Sequence, residues 1–310
     1  MKLVLALGGN AILPKGAVPD IVTQFENTEK TLRKLVPLLE VAKSAIITHG
    51  NGPQVGIEFL RSFYAREVTP PYPLDILGAE TQGWMGYMIV HLLREIFWEE
   101  KIDKEVVALV TQVVVSEDDP EFKNPSKPIG PFFKKEEAEL LRSKFPWPIK
   151  QDAGRGYRIT VPSPKPIDII EKDVLKKLSE DGIITVAVGG GGIPVFKKGT
   201  RLKAQLAVID KDRASSLLAV LIDADLFMIL TDVDFVYINF GRENQRELKE
   251  IRVSELERFI REGHFARGSM LPKVEASISF VKKTGRRAVI TSLERCIEGF
   301  KGKWGTQIVP

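Results

Sequence analysis

Short, almost wholly apolar runs, each followed by a longer amphipathic stretch, recur along this 310-residue chain. A run that is apolar without alternation suits a strand buried on both faces, and such a strand needs helices above and below it. Residues 3–7, 45–48, 106–115, 183–188, 226–231 and 288–291 are the strand candidates. Residues 21–42, 54–65, 76–100, 169–180, 213–221, 253–262 and 273–283 carry the helical period. Alternation of the two kinds predicts an α/β fold with a mainly parallel sheet covered on both faces. No repeat or low-complexity segment interrupts it.

The composition narrows the function. Hydrophobic residues, 44% of the chain, are ample for a core. The 45 basic residues are interleaved with 41 acidic ones, and no basic run carries interleaved aromatics, so nucleic acid is not an expected partner. The single cysteine, Cys296, cannot close an internal disulfide, and no Cys or His cluster has metal-ligand spacing, which reads as an intracellular, cytoplasmic protein. The apolar start runs into Gly-Gly-Asn rather than a cleavage site. The longest apolar region, 217–230, is broken by Asp223 and Asp225, whereas a membrane span needs about 20 apolar residues.

The segment THGNGPQVG, residues 48–56, is a strand end that opens into glycines and meets Pro53 where a helix should begin. Glycines let a ligand approach the amides, and the helix start adds unpaired N–H groups and a positive dipole end. A phosphate or small carboxylate fits such a cradle. A second copy, Gly8-Gly9-Asn10, follows the first strand. The alternative is a pair of tight strand-to-helix turns.

Other strand ends carry charge. Asp210-Lys211-Asp212 follows an apolar run, and Lys211 there could reach a phosphate; a helix cap with a surface lysine is the alternative reading. Thr231 and Asp232 close another strand. Lys273 begins a helix, where its charge opposes the dipole unless an anion lies beside it. Gly189 to Gly192 suit close approach of a ligand, or a hinge. Neither a Walker A motif nor the dinucleotide fingerprint is present.

Residues 117–166 break the rhythm with proline, glycine and charge, but Phe122, Ile129, Phe132, Phe133, Trp147 and Tyr157 supply more apolar surface than a linker carries, so a compact insertion or lid is expected. The helix bearing Trp84, Tyr87, Met88, His91 and Leu92 reads as core or subunit contact. His49, His91 and His264 pair with no nucleophile and are read as structural.

In order along the chain, ALGGNAI, THGNGPQVG, TQGWMGYM, NPSKPIGPF, GRGYR, VPSPKP, GGGGIPV, AVIDKD, ILTDVD, GHF, GSMLPKV and GTQIV together resemble the carbamate kinases of the amino acid kinase family. The lid motif NPSKPIGPF separates these from acetylglutamate and uridylate kinases. The resemblance implies an open αβα sandwich around a mainly parallel central sheet with a small protruding lid, and a homodimer. It places the acceptor on residues 1–208, with the lid at about 117–166, and the nucleotide on 209–310. The implied reaction is reversible phosphoryl transfer between ATP and carbamate, with Mg2+ arriving on the nucleotide and no metal held by the protein alone.

By the same resemblance, Lys211 and Lys273 lie along the transferring phosphoryl group, Asp210 orients both, and Lys127 adds a charge from the lid tip. Gly8, Gly9, Asn10, Gly50, Asn51 and Gly52, with Gly190 and Gly191, cradle the phosphoryl and carbamate oxygens. Thr231, Asp232, Tyr237 and Met270 are the expected nucleotide contacts. Two positions depart from the family pattern: Ile159 stands where a second basic residue follows Arg158, and Leu206 stands for Glu. Another small carboxylate or phosphate as acceptor, or a nucleotide-binding regulator without turnover, are the competing readings.

Overall fold

The computed structural model describes every residue except 15, 153–155 and 267. Among these, an eight-stranded sheet forms the centre, in the order Glu250–Arg252, Thr306–Val309, Ala288–Ser292, Leu226–Thr231, Lys2–Leu7, Ser44–His49, Ile184–Val186, Val106–Ala108. Its neighbours run parallel, apart from the antiparallel pair Ala288–Ser292 and Thr306–Val309.

Strand geometry divides the apolar runs between two cores. Leu3, Leu5, Leu7, Ile47, Met228 and Leu230 pack beneath helices Ile21–Val41 and Leu74–Glu100. Val4, Ala6, Ile46, Phe227 and Ile229 face the opposite way, against helices Lys211–Leu221 and Met270–Thr284. The result is the αβα sandwich that the resemblance implies. Among the described residues no helix is long and apolar enough to cross a membrane.

The apolar run 106–115 is two strands rather than one. Val106–Ala108 joins the central sheet, and Gln112–Val115 enters a four-stranded sheet with Arg201–Ala204, Ile193–Lys198 and Pro166–Ile169. The break is held by the buried Gln82 side chain, which accepts from Thr111 N at 2.9 Å. The 169–180 candidate splits similarly: Pro166–Ile169 is strand, and the helix begins at Lys172.

Residues 117–166 include a folded lid of strands Lys127–Phe133, Ile149–Gln151 and Tyr157–Val161 with helix Lys135–Leu141. Ile129, Phe145, Ile149 and Ile159 form its core together with Val55 and Phe59 of helix Gly52–Tyr64. The contact is so close that a Cβ at Gly56 would stand 2.0 Å from Gly130 N. Residues 154 and 155 of the GRGYR motif lie outside the described residues.

Candidate active site

Parallel register assembles the site. Leu7 pairs with His49 on one side and with Leu230 on the other, so the loops starting at Gly8, Gly50 and Asp232 emerge side by side. From the adjacent strands Lys2–Leu7 and Leu226–Thr231 the chain continues into opposite halves of the sheet, which opens a crevice at the carboxyl edge. Gly8 closes it at the bottom, its N donating to Leu230 O at 3.0 Å.

The crevice is a cleft of about 840 Å3. Gly8, Gly9 and Asn10 line it with Gly50, Asn51, Gly52 and Gly190, so both predicted cradles share one space. Lys127, Asp210, Lys211, Lys273, Thr231 and Asp232 line it as well. Asn51 precedes the first turn of helix Gly52–Tyr64, and its Nδ2 donates to Thr81 Oγ1 at 2.8 Å.

The lysines are ordered by two carboxylates. Lys211 Nζ lies 2.5 Å from Asp212 Oδ1, and Lys273 Nζ lies 2.9 Å from Asp212 Oδ2. Lys127 Nζ instead bonds Asp210 Oδ2 at 2.7 Å. Asp212, not Asp210, therefore orients Lys211 and Lys273. Asp210 holds the lid lysine and caps helix Lys211–Leu221, its Oδ1 accepting from Asp212 N and Arg213 N. Asp210 is thus both charge partner and helix cap, but Lys211 is buried and not the surface lysine of the alternative reading. Asp212 is also the anion that relieves Lys273 at its helix start.

Burial and pairing compete at these groups. Burial pushes the Lys211 pKa down, and the nearby Lys273 adds to this, so it stays lowered although Asp212 opposes both. Burial also works against the charge on Lys273, but Asp212 outweighs it and the pKa is raised. Burial would raise Asp212; the two lysines overcome it and hold the carboxyl well below the usual range. Burial and Asp212 likewise raise Asp210, and Lys127, with help from Lys273, brings it below its ordinary value. The site thus keeps fixed cations around a buried carboxylate, an arrangement suited to a polyanion.

Other predicted residues take different places from those expected. Lys127 sits at the lid's root, paired across the strands with Val161, and not at its tip. Gly191 does not line the cleft: at φ +90° its absent Cβ makes room for Ile209 O, 2.5 Å away. Gly190, at φ +64°, does line it, but a Cβ there would lie 2.2 Å from Asn51 Nδ2. The glycine run serves protein packing around the cradle more than ligand approach. Tyr237 and Met270 also fall outside the lining; Met270 packs against a hydrophobic core and Tyr237 against Phe235 and Phe240. Gly268, Ser269 and Pro272 stand in the wall nearby.

Asp212 and Arg158 are among the charged lining residues that sequence reasoning left without a role. AVIDKD carried the signal for the first, since two acids flank one lysine; the alternation in Tyr157–Val161 carried it for the second. Ile159 is fully buried in the lid core, while its neighbour Arg158 lines the cleft. Leu206 is 47% exposed and outside the lining. His49 is buried and uncharged: desolvation brings its pKa down to about 4 despite its bond to Gly50 O.

The amino acid kinase family model matches residues 1–292. A carbamate kinase of Pyrococcus horikoshii is 43% identical over 100% of this chain and 99% of its own. One from Lentilactobacillus hilgardii is 49% identical, covering 96% of this chain and 94% of its own. A solved carbamate kinase from Giardia lamblia bound to AMP-PNP superimposes with a TM-score of 0.91 at 39% identity, covering 99% of this chain and 98% of that one.

Proposed function

The chain belongs to the amino acid kinase family, among its carbamate kinases, and on that premise we propose that the cleft transfers a phosphoryl group reversibly between ATP and carbamate, giving ADP and carbamoyl phosphate. The observation that carries this reading is the pair Lys211 and Lys273 fixed on Asp212, in one cleft with Lys127 of the lid and the two glycine cradles.

Carbamate is already an anion, so no base is needed to make the nucleophile, and catalysis reduces to positioning and charge neutralisation. Lys211 and Lys273 would lie along the phosphoryl oxygens. Lys127 would exchange Asp210 for the reacting anion. Amides of the Gly8 and Gly50 loops would bind the remaining oxygens. Residues 1–208 supply the acceptor side and residues 209–310 the nucleotide side, with Thr231 and Asp232 near its phosphates.

Magnesium fits as a companion of the nucleotide. Among the described residues no three His, Cys, Asp or Glu groups gather to hold a metal, and Asp210 and Asp212 already bind lysines. Asp232, which accepts a hydrogen bond from Asn10 Nδ2 at 3.1 Å, would hold waters of a magnesium ion brought in by the nucleotide. The ion supplies positive charge across the phosphoryl oxygens.

The enzyme acts as a cytoplasmic homodimer in this reading. Helix Leu74–Glu100 buries Met88 and Leu92 but turns Tyr87 outward, and Tyr87 borders a hollow of about 300 Å3 with Ile21, Phe25, Ile57 and Trp84. A second copy would cover this face.

The test is direct. Purified protein given ADP, Mg2+ and carbamoyl phosphate makes ATP; yield no greater than that of Lys211→Ala ends the carbamate reading.

A further inference from the structure

We infer that Arg158 is the lid's specificity contact, holding the acceptor's non-reacting oxygen, the one that stays off phosphorus, on the Gly50–Gly52 loop; the inference rests on the carbamate reading. Three nitrogens define the pose. Nε donates to Gly130 O at 3.0 Å, Nη1 lies 3.3 Å from Asp152 Oδ2, and Nη2 turns toward Gly52, 3.9 Å from where a Cβ would stand. The guanidinium also lies over the Phe132 ring, 5.1 Å from its centroid. Its side chain is only 11% exposed, so the group is held in place before any ligand arrives.

The loop has two ends with different cations. A Cβ at Gly50 would stand 3.7 Å from the stem of Lys211, whereas Gly52 faces Arg158 and Pro128 O. A small acid resting on the loop therefore has the phosphoryl-side lysine at one end and the guanidinium at the other. A rigid planar guanidinium, fixed through Nε and Nη1, aims Nη2 at the carbonyl oxygen that carbamate and carbamoyl phosphate share, which a flexible lysine does not. The grip also depends on strand alternation: position 158 faces the cleft and position 159 the lid core, so the buried Ile159 leaves this contact intact.

The experiment compares Arg158→Gln and Arg158→Lys with the unaltered chain in both substrates. Arg158→Gln should raise KM for carbamoyl phosphate at least tenfold and leave KM for ADP within twofold. Arg158→Lys should fall between, with a melting temperature near that of the parent, which separates a lost grip from a collapsed lid. An unchanged KM for carbamoyl phosphate, or equal shifts in both constants, overturns the role. If the parent makes no ATP, the carbamate reading has failed, and Arg158 is judged by anion binding: sulfate should raise the melting temperature of the parent more than that of Arg158→Gln. Equal shifts would overturn it.

Discussion

Asp212 binds two lysine ammonium groups with one carboxylate and is almost wholly buried, so its loss leaves two cations close together without a counter-charge. Removing one partner of a buried ionic group costs about 3–5 kcal/mol. Asp212→Asn should therefore lower the melting temperature and cut kcat for ATP formation by roughly a hundredfold or more, the scale of losing a pre-set electrostatic contact. A kcat near that of the parent would remove Asp212 from the machinery. His49 makes a separate prediction about pH. Its folded pKa of about 4 lies below the ordinary 6.5, so the unfolded chain takes up the proton first as pH falls. Stability from this residue is full above pH 6.5 and declines toward pH 4, by about 2 kcal/mol at pH 5. Urea unfolding at pH 7 and pH 5 should show the loss, and His49→Gln should reduce it. These residues differ in legibility. Lys211 and Lys273 stood out as charges at strand and helix ends. The carboxylate that joins them did not, because Asp210 and Asp212 are two positions apart and only the folded helix start decides which one faces inward.

At the scale of elements, the informative junction is helix Gly52–Tyr64 against the lid strand Lys127–Phe133. Gly56 closes the motif THGNGPQVG, and its role is to let the lid backbone lie directly on the helix. Gly56→Ala puts a methyl group into Gly130, which neither backbone can avoid without moving. Overpacking of this kind costs about 1–3 kcal/mol. Displacement of the lid should also raise KM for carbamoyl phosphate more than KM for ADP, since Lys127 and Arg158 ride on the lid. Equal KM values in Gly56→Ala and the parent would mean that the lid is not seated by this contact. The apolar runs at 3–7, 45–48, 226–231 and 288–291 were readable as strands because both their faces are buried. The hairpin Ile193–Lys198 and Arg201–Ala204 was not readable, because its second strand is exposed throughout and lacks any hydrophobic signature.

For the whole molecule, the outward face around Tyr87 bears on assembly. Ile21 and Tyr87 are 52% and 59% exposed beside the hollow they share, an arrangement that a second copy would bury. Sedimentation should give twice the chain mass, and Ile21→Asp with Tyr87→Glu should shift it to the monomer; a parent sedimenting as a monomer would refute the dimer. By itself the sequence determined the layered α/β plan, the two glycine cradles, the lid and the lysines, because each is written in local pattern: apolar runs, glycine at strand ends, charge beside them. Tertiary structure alone decided that Asp212 and not Asp210 joins Lys211 to Lys273, and that Arg158 turns from the lid into the wall of the cleft. Those facts depend on which strands become neighbours and which way each side chain then faces, and strand order is a long-range property that local pattern does not encode.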